Sequence, residues 1–595
     1  MTYRAPLDDI RLALDCAAGL SGLMADGTLA GVDADTANAV LEGAAKFAEE
    51  ELGPIDAGGD KAGSRLVDGK VVTPPGWDAA YKAFVAGGWS SLSGTEEFGG
   101  QHLPHVLASS AIEIWCGASL AFGLCPLLTQ GAVDAIRMAA STELKARYLP
   151  KMVAGEWTGT MNLTEPQAGT DLGALKTKAV PQPDGSFRIF GSKIFITYGD
   201  HELTSNIIHL VLARLPDAPA GTKGISLFLV PKYLVNDDGT LGARNDLRAT
   251  RLEEKLGIHA SPTCVMSYGE KEGAVGYLVG EAGRGLNHMF VMMNRARLDV
   301  GMQGVAVAER ATQRAIAYAK DRKQGRAAKT PAGVMAPIIE HPDVRRNLMV
   351  MRALTMASRA ICLATARELD VSERAADPAV REAAANRMAL LTPIAKAFST
   401  DAGVEVASIG VQVHGGMGYI EETGAAQHFR DARILPIYEG TNGIQAIDLV
   451  TRKLPLEAGK VVGAYLAELD ATAVELSASN AEGFSRMGAR LAEANKALRE
   501  ATRWLASQLP SNAEAALAGA TPYLRLFGVS AGGMYLGRAA LMASRAPTLD
   551  GAGARQIVIA KFFAETFAAE AGGLARMVVE GAGSIPSADS TVFNA

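Results

Sequence analysis

The stretch "GSFRIFGSKIFITYG", residues 185–199, alternates apolar and polar residues, is rich in Phe, Ile and Thr, and is bounded by glycines. That period of two predicts a β-strand with turns at its ends. Two more runs of the same texture follow, "NIIHLVLARL" (206–215) and "GISLFLVPK" (224–232), so a β-domain is predicted over 158–285. Outward from it, apolar residues recur at helical spacing. Residues 36–157 read as an N-terminal helical domain interrupted by the glycine-rich turn "GWSSLSGTEEFGGQHLP" (88–104), and 286–453 as a four-helix-bundle domain. An N-terminal segment, 1–35, precedes these, and an Ala-rich region, 454–595, adds a further helical domain with loops near Pro510, Pro547 and "DGAGAR" (550–555). The predicted class is therefore mainly α with a central β-domain, in α-β-α order, plus an additional C-terminal helical domain.

Composition narrows the function. The chain has 595 residues, 48% hydrophobic and 21% charged, with a formal net charge of -6 and no basic face to concentrate nucleic acid. The five cysteines form no CxxC pair and no zinc-like spacing, which points to a reducing, cytoplasmic setting. The N-terminus lacks a basic patch followed by an apolar core, and apolar runs such as "LASSAIEIWCGASLAFGLCPLLTQGAV" contain charge, Gly or Pro and read as core helix, not as a membrane span.

Several segments carry chemical groups, each with an ordinary structural reading beside the functional one. "GTMNLTEPQAGTDLG" (159–173) is dense in hydroxyls and glycines that suit a planar polar ligand, and also suits an inter-domain turn. Phe195 and Thr197 offer an aromatic wall and a hydroxyl on what is otherwise a plain strand. "GEAGRGLNHMF" (280–290) lacks the GK[ST] ending of a phosphate loop and reads as the turn into the bundle. "NRAR" places Asn294 and Arg297 three residues apart on one helix, and "AKDRKQGR" ends that helix with basic residues that favour a helix C-terminus. In "GVQVHGGMGYIEE" (410–422) His414 has no second histidine at metal spacing. "ILPIYEGTNGIQ" (434–445) sets one carboxylate, Glu439, against a flexible Gly-Thr-Asn-Gly run.

In this order, "MNLTEPQAGTD", "KIFIT", "EKLGIHASPT", "LVGEAGRGL", "AKDRKQ", "QVHGGMGY" and "RDARILPIYEGTNGIQ" resemble the acyl-CoA dehydrogenase family across roughly 36–453. The extra C-terminal domain resembles the long bacterial branch that includes 3-methylthiopropionyl-CoA and broad-range fatty acyl-CoA enzymes. The resemblance implies FAD-dependent oxidation of an acyl-CoA to the trans-2-enoyl-CoA, with electrons passed to an electron-transfer flavoprotein. It makes Glu439 the base that removes the α-proton, and its backbone N–H a donor to the thioester oxygen. It places Met161, Leu163, Thr164, Thr170, Phe195, Thr197, Thr441 and Gly443 at FAD. Arg322, Gln412, Gly415 and Gly416 resemble residues that reach the FAD of a neighbouring subunit, which implies a homodimer or higher oligomer. Thr170, Asn294, Arg297 and Gly440 are carried over to the substrate. Phe195 stands where many relatives have Trp, Thr170 where Ser is common, and Asn294 where Asp is common; "RKQGR" lacks the usual Phe. Two alternatives stay open at this point: an acyl-CoA oxidase that uses oxygen, and an FAD-containing DNA-binding homologue, for which 461–595 holds about as many acids as bases.

Overall fold

Strand Phe187–Thr197 is the long member of an eight-stranded sheet. Across it run Leu247–Leu252, Thr263–Tyr268, Phe187–Thr197, Ala274–Val279, Ile225–Pro231, Asn206–Arg214 and Trp157–Asn162. The short strand Lys178–Pro181 pairs with both Phe187–Thr197 and Asn206–Arg214, which closes five strands into a small barrel. Closure removes the unpaired edges that the central strands would otherwise present. The barrel interior is apolar, built on Ile189, Val211, Phe228 and Val230. The computed structural model describes residues 3–328, 330–546, 551–585, 588 and 590–593.

The N-terminal helices include His105–Ala118 and Leu120–Ala139, which are buried along nearly their whole length, and Leu120–Ala139 packs on the sheet face that carries Ile208, Leu210, Leu227 and Leu229. The start of helix Gly285–Asp321 packs on the same face through Met289, Met292 and Ala296, and with Pro342–Arg374 and Pro378–His414 it forms a bundle of three long helices. Pro342–Arg374 is long and apolar enough to cross a membrane, yet 83% of its apolar window is buried inside the protein, as a central bundle helix requires. Bundle, N-terminal helices and C-terminal domain share one continuous apolar core. The junction with the C-terminal domain depends on small residues of helix Ala520–Arg545: a Cβ on Gly528 would lie 2.3 Å from the Phe398 ring, and one on Gly532 2.9 Å from the Ala357 Cβ.

The structure differs from the sequence expectations in two places. The N-terminal helical region contains a hairpin, Arg65–Val67 with Lys70–Val72, turned at Asp68 and Gly69 in left-handed conformations. The expected loop at "DGAGAR" is helical from its first described residue, in Gly551–Thr566. Its glycines are carried into the helix because Gln556, Ile559, Ala560 and Phe563 bury one face in the C-terminal core, which outweighs about 1 kcal/mol of propensity per glycine. Pro510 lies in the turn between Phe484–Gln508 and Ala513–Ala518 as expected; Pro547 lies outside the described residues.

Candidate active site

The carboxylate at the head of "EGTNG" sits on unusual backbone. Glu439 has φ +54° and Gly440 φ +82°, two successive left-handed residues, the first of which an L side chain adopts only under constraint. The turn is closed by Asn442 N–H donating to the Pro436 carbonyl at 3.0 Å. Thr441 then caps helix Asn442–Asp448, its hydroxyl accepting from Ile444 N–H at 3.4 Å. This explains the Gly-Thr-Asn-Gly run: a left-handed glycine, a cap, and a helix start in four residues. At Gly440 an added Cβ would lie 2.7 Å from Gln445 Nε2. Gly440→Ala is therefore expected to cost about 1–2 kcal/mol of local strain and to lower turnover while leaving the melting temperature within a few degrees, read by steady-state kinetics beside a thermal melt.

Three cationic or polar side chains surround Glu439. Arg297, buried in helix Gly285–Asp321, pairs with Asp448 at 3.8 Å and lies over the Phe290 ring at 5.8 Å. Lys396, buried in helix Pro378–His414, donates to the Gly440 carbonyl at 2.9 Å. Gln445 donates to the Glu439 carbonyl at 3.3 Å. Burial pushes the Glu439 carboxyl above the usual carboxylate range, while Arg297 and then Lys396 pull against that shift. Tyr438, the residue before Glu439, donates its hydroxyl to Gln303 Oε1. Among the described residues Arg297 Nε, Gln303 Nε2 and Gln445 Oε1 are buried without a hydrogen-bond partner, which leaves unsatisfied polar groups converging on this turn.

A second group forms on the sheet. Met161 lies in strand Trp157–Asn162, and Leu163 and Thr164 continue from its end. The Thr164 carbonyl accepts from Ile194 N–H at 2.9 Å and Thr160 donates to the Thr197 carbonyl at 2.7 Å, so Met161, Leu163, Thr164, Phe195 and Thr197 are neighbours. Phe195 occupies a bulge, where the pairing jumps from Lys193↔Met266 to Ile196↔Cys264, and it has φ +61°. The bulge throws its ring outward, leaving it 59% exposed in the middle of a well-formed sheet. A flat exposed ring beside the threonine hydroxyls suits a planar group with a polar edge, and the residues present fit a flavin on that ground. Thr170 is exposed on the loop that follows.

The structure does not bring every predicted residue to this place. Arg322 caps the C-terminal end of the 37-residue helix that carries Asn294 and Arg297 near its start, about 25 residues or ~37 Å further along. Gln412, Gly415 and Gly416 lie with it at that far end, where His414 stacks on Tyr318 at 4.3 Å between ring centres. All four are exposed and lie beside the exposed apolar residues Met417, Tyr419 and Ile420. They cannot serve a group held by Glu439 of their own chain.

Family models match the chain in order: acyl-CoA dehydrogenase N-terminal domain at 34–156, middle domain at 160–270, C-terminal domain at 283–454, and an acetyl-CoA dehydrogenase C-terminal-like domain at 465–589. A 3-methylmercaptopropionyl-CoA dehydrogenase of Ruegeria pomeroyi is 49% identical over 543 residues, 91% of this chain and 92% of that protein. The chain belongs to the acyl-CoA dehydrogenase family. As a member of that family it is an oxidoreductase acting on CH–CH bonds, and the family implies FAD. A broad-specificity linear acyl-CoA dehydrogenase of Mycobacterium tuberculosis is 34% identical, covering 77% of this chain and 76% of that protein. A solved acyl-CoA dehydrogenase of Bacillus anthracis, complexed with FAD, is similar in fold with a TM-score of 0.75 at 20% identity, covering 92% of this chain and 89% of that one.

Sequence reading missed Lys396, Gln445, Gln303 and Asn442. Only Lys396 carried a signal, as the lone cation in the apolar run "LLTPIAKAFST" (390–400).

Proposed function

We propose that the protein dehydrogenates the α,β bond of an acyl-CoA to the trans-2-enoyl-CoA, with Glu439 taking the α-proton. The observation that carries this is the Glu439 turn: a carboxylate on constrained left-handed backbone, raised in basicity by burial and faced by Arg297 and Lys396. When bound, FAD supplies the acceptor for the β-hydrogen, which leaves as hydride. Met161, Leu163, Thr164, Thr170, Phe195 and Thr197 would hold its ring system, with Thr441 and Gly443 beside it. The Glu439 N–H is the proposed donor to the thioester oxygen, a role worth roughly 3 kcal/mol where negative charge develops. Arg297, with Asn294 one turn before it and Gly440 opposite, is assigned to the CoA side of the substrate. Because Arg322, Gln412, Gly415 and Gly416 sit at the far end of the bundle, they are assigned to the FAD of a second subunit, and the working unit is at least a homodimer. An electron-transfer flavoprotein is the proposed electron acceptor, in the cytoplasm.

For the acyl group we favour a short thioether chain of the 3-methylthiopropionyl type, supported by the 49% identity that spans nearly all of the Ruegeria pomeroyi enzyme. Linear fatty acyl chains are the second reading, supported by the relative from Mycobacterium tuberculosis. An anaerobic titration of the flavoprotein with 3-methylthiopropionyl-, butyryl- and octanoyl-CoA tests both. Loss of the oxidised flavin absorbance is expected with 3-methylthiopropionyl-CoA at the lowest concentration. No bleaching with any of the three would overturn the reaction, and preference for octanoyl-CoA would overturn the acyl assignment.

A further inference from the structure

Lys396 is a fully buried cation that the proposed reaction leaves without a task. A buried ammonium is costly unless every bond it makes is well placed. Both hydrogen bonds of Lys396 go to the turn that carries Glu439: the Gly440 carbonyl at 2.9 Å and Asn442 Oδ1 at 2.8 Å. Asn442 is fixed in turn, its amide donating to the Ala397 carbonyl at 3.1 Å, Thr400 Oγ1 at 3.0 Å and Asp401 Oδ1 at 2.7 Å. The exit of the left-handed pair Glu439–Gly440 is thus fastened to one helix, Pro378–His414, through a single lysine and a single asparagine. Strained backbone persists only where its surroundings over-determine it, and here the pair itself is held by Lys396 at the Gly440 carbonyl, at 2.9 Å, and by Gln445, whose bonds to the two carbonyls are longer, 3.3 and 3.5 Å.

We propose that Lys396 is a positioning residue for the reaction: its hydrogen bonds hold the Glu439–Gly440 turn in the left-handed conformation that aims the carboxylate, and its ammonium group is the counter-charge behind that carboxylate. This rests on Glu439 being the base. The charged groups around the pair come from four elements. Arg297 lies on helix Gly285–Asp321 and is tied to Asp448. Asp401, on the lysine's own helix, acts on Lys396 and is itself faced by Arg433 and by Arg525 of the C-terminal domain. Burial pushes Lys396 down to about 7, with Glu439 and Asp401 opposing that shift, so the cation is present on the acid side of neutrality. There it stabilises the Glu439 carboxylate. Removing it raises the Glu439 carboxyl further, and activity that needs the carboxylate is then lost at a higher pH than in the parent protein.

Lys396→Met removes bonds and charge; Lys396→Gln removes the charge but leaves an amide that can donate to the Gly440 carbonyl. In the FAD-loaded protein, with whichever acyl-CoA bleaches the flavin, Lys396→Met is expected to lower kcat by roughly 10- to 100-fold, the size of effect that misplacing a reacting group produces, with KM changed far less. The acid limb of the kcat/KM profile should move upward by roughly half a pH unit or more. Lys396→Gln should move the limb equally and lose less in kcat. If both variants keep FAD and the parent melting temperature while kcat and the acid limb stay where they were, Lys396 is only a core residue and the proposal is wrong. Should Lys396→Met fail to fold, the limb of Lys396→Gln decides alone. Full activity of Glu439→Gln would instead overturn the base itself, whatever the lysine variants do.

Discussion

Glu439→Gln is expected to bind FAD and acyl-CoA and to lose turnover by at least roughly 10²–10⁴-fold, the contribution of a positioned base. The substitution is nearly isosteric, so it leaves the left-handed backbone at 439 and 440 and the Gln445 bond to the Glu439 carbonyl in place. Nothing that holds the sheet group of Met161, Thr164, Phe195 and Thr197 depends on the carboxylate. What changes is the reacting atom: an amide oxygen takes no proton at neutral pH, and Arg297 and Lys396 then face a neutral group. Their positive field persists, so negatively charged ligands should bind no more weakly than before. Stopped-flow reduction under anaerobic conditions separates these outcomes, because binding perturbs the flavin spectrum and turnover bleaches it. Near-normal bleaching would place the base elsewhere in the chain.

How much of this was legible in the sequence follows from what each feature needs. The strands at 187–197, 206–214 and 225–231 announce themselves through alternation or through dense β-branched and aromatic runs. The long bundle helices announce themselves through period and length. The hairpin at 65–72 does not, since three-residue strands hold too few positions to display a period. The closure of the barrel by Lys178–Pro181 is a tertiary event that no local pattern encodes. At the site, Glu439 was visible as a carboxylate beside glycines, but its role came only from the order of seven motifs. Its backbone conformation was hidden, because φ +54° at Glu439 and φ +61° at Phe195 occur at residues that carry side chains, where glycine would have given a clue. The unsatisfied amides of Gln303 and Gln445 were invisible for a different reason: a glutamine in a helix reads as surface until its neighbours in space are known.

Arg359→Leu is the second large expected effect, and it falls on stability. Arg359 is wholly buried in helix Pro342–Arg374 and grips Glu113 of helix His105–Ala118 with bonds of 2.7 to 3.1 Å, while also donating to Glu309 of helix Gly285–Asp321 at 3.0 Å. Arg352, one helix with Arg359, continues the network to Glu309 and to Asp9 of the N-terminal helix Leu7–Cys16 at 2.7 Å. One guanidinium therefore compensates two buried carboxylates and joins the N-terminal domain to the bundle. Removing it leaves Glu113 with no cation, and the cost of breaking a buried pair is about 3–5 kcal/mol. Burial already pushes the Glu113 carboxyl up even with Arg359 beside it, whereas Glu309 is held down by Arg359 and Arg352. Without Arg359 both carboxyls rise. A carboxyl whose folded-state pKa lies above its unfolded value destabilises increasingly as pH climbs past the unfolded value, so the loss in melting temperature should be several degrees at pH 8 and smaller near pH 5. Because a chain of several domains unfolds irreversibly as a rule, parent and variant are compared at one scan rate. Adding Glu113→Leu should recover much of the loss, since apolar replacement of a buried pair is often neutral. An Arg359→Leu protein that melts with its parent at both pH values would show that the network adds nothing to the junction it spans.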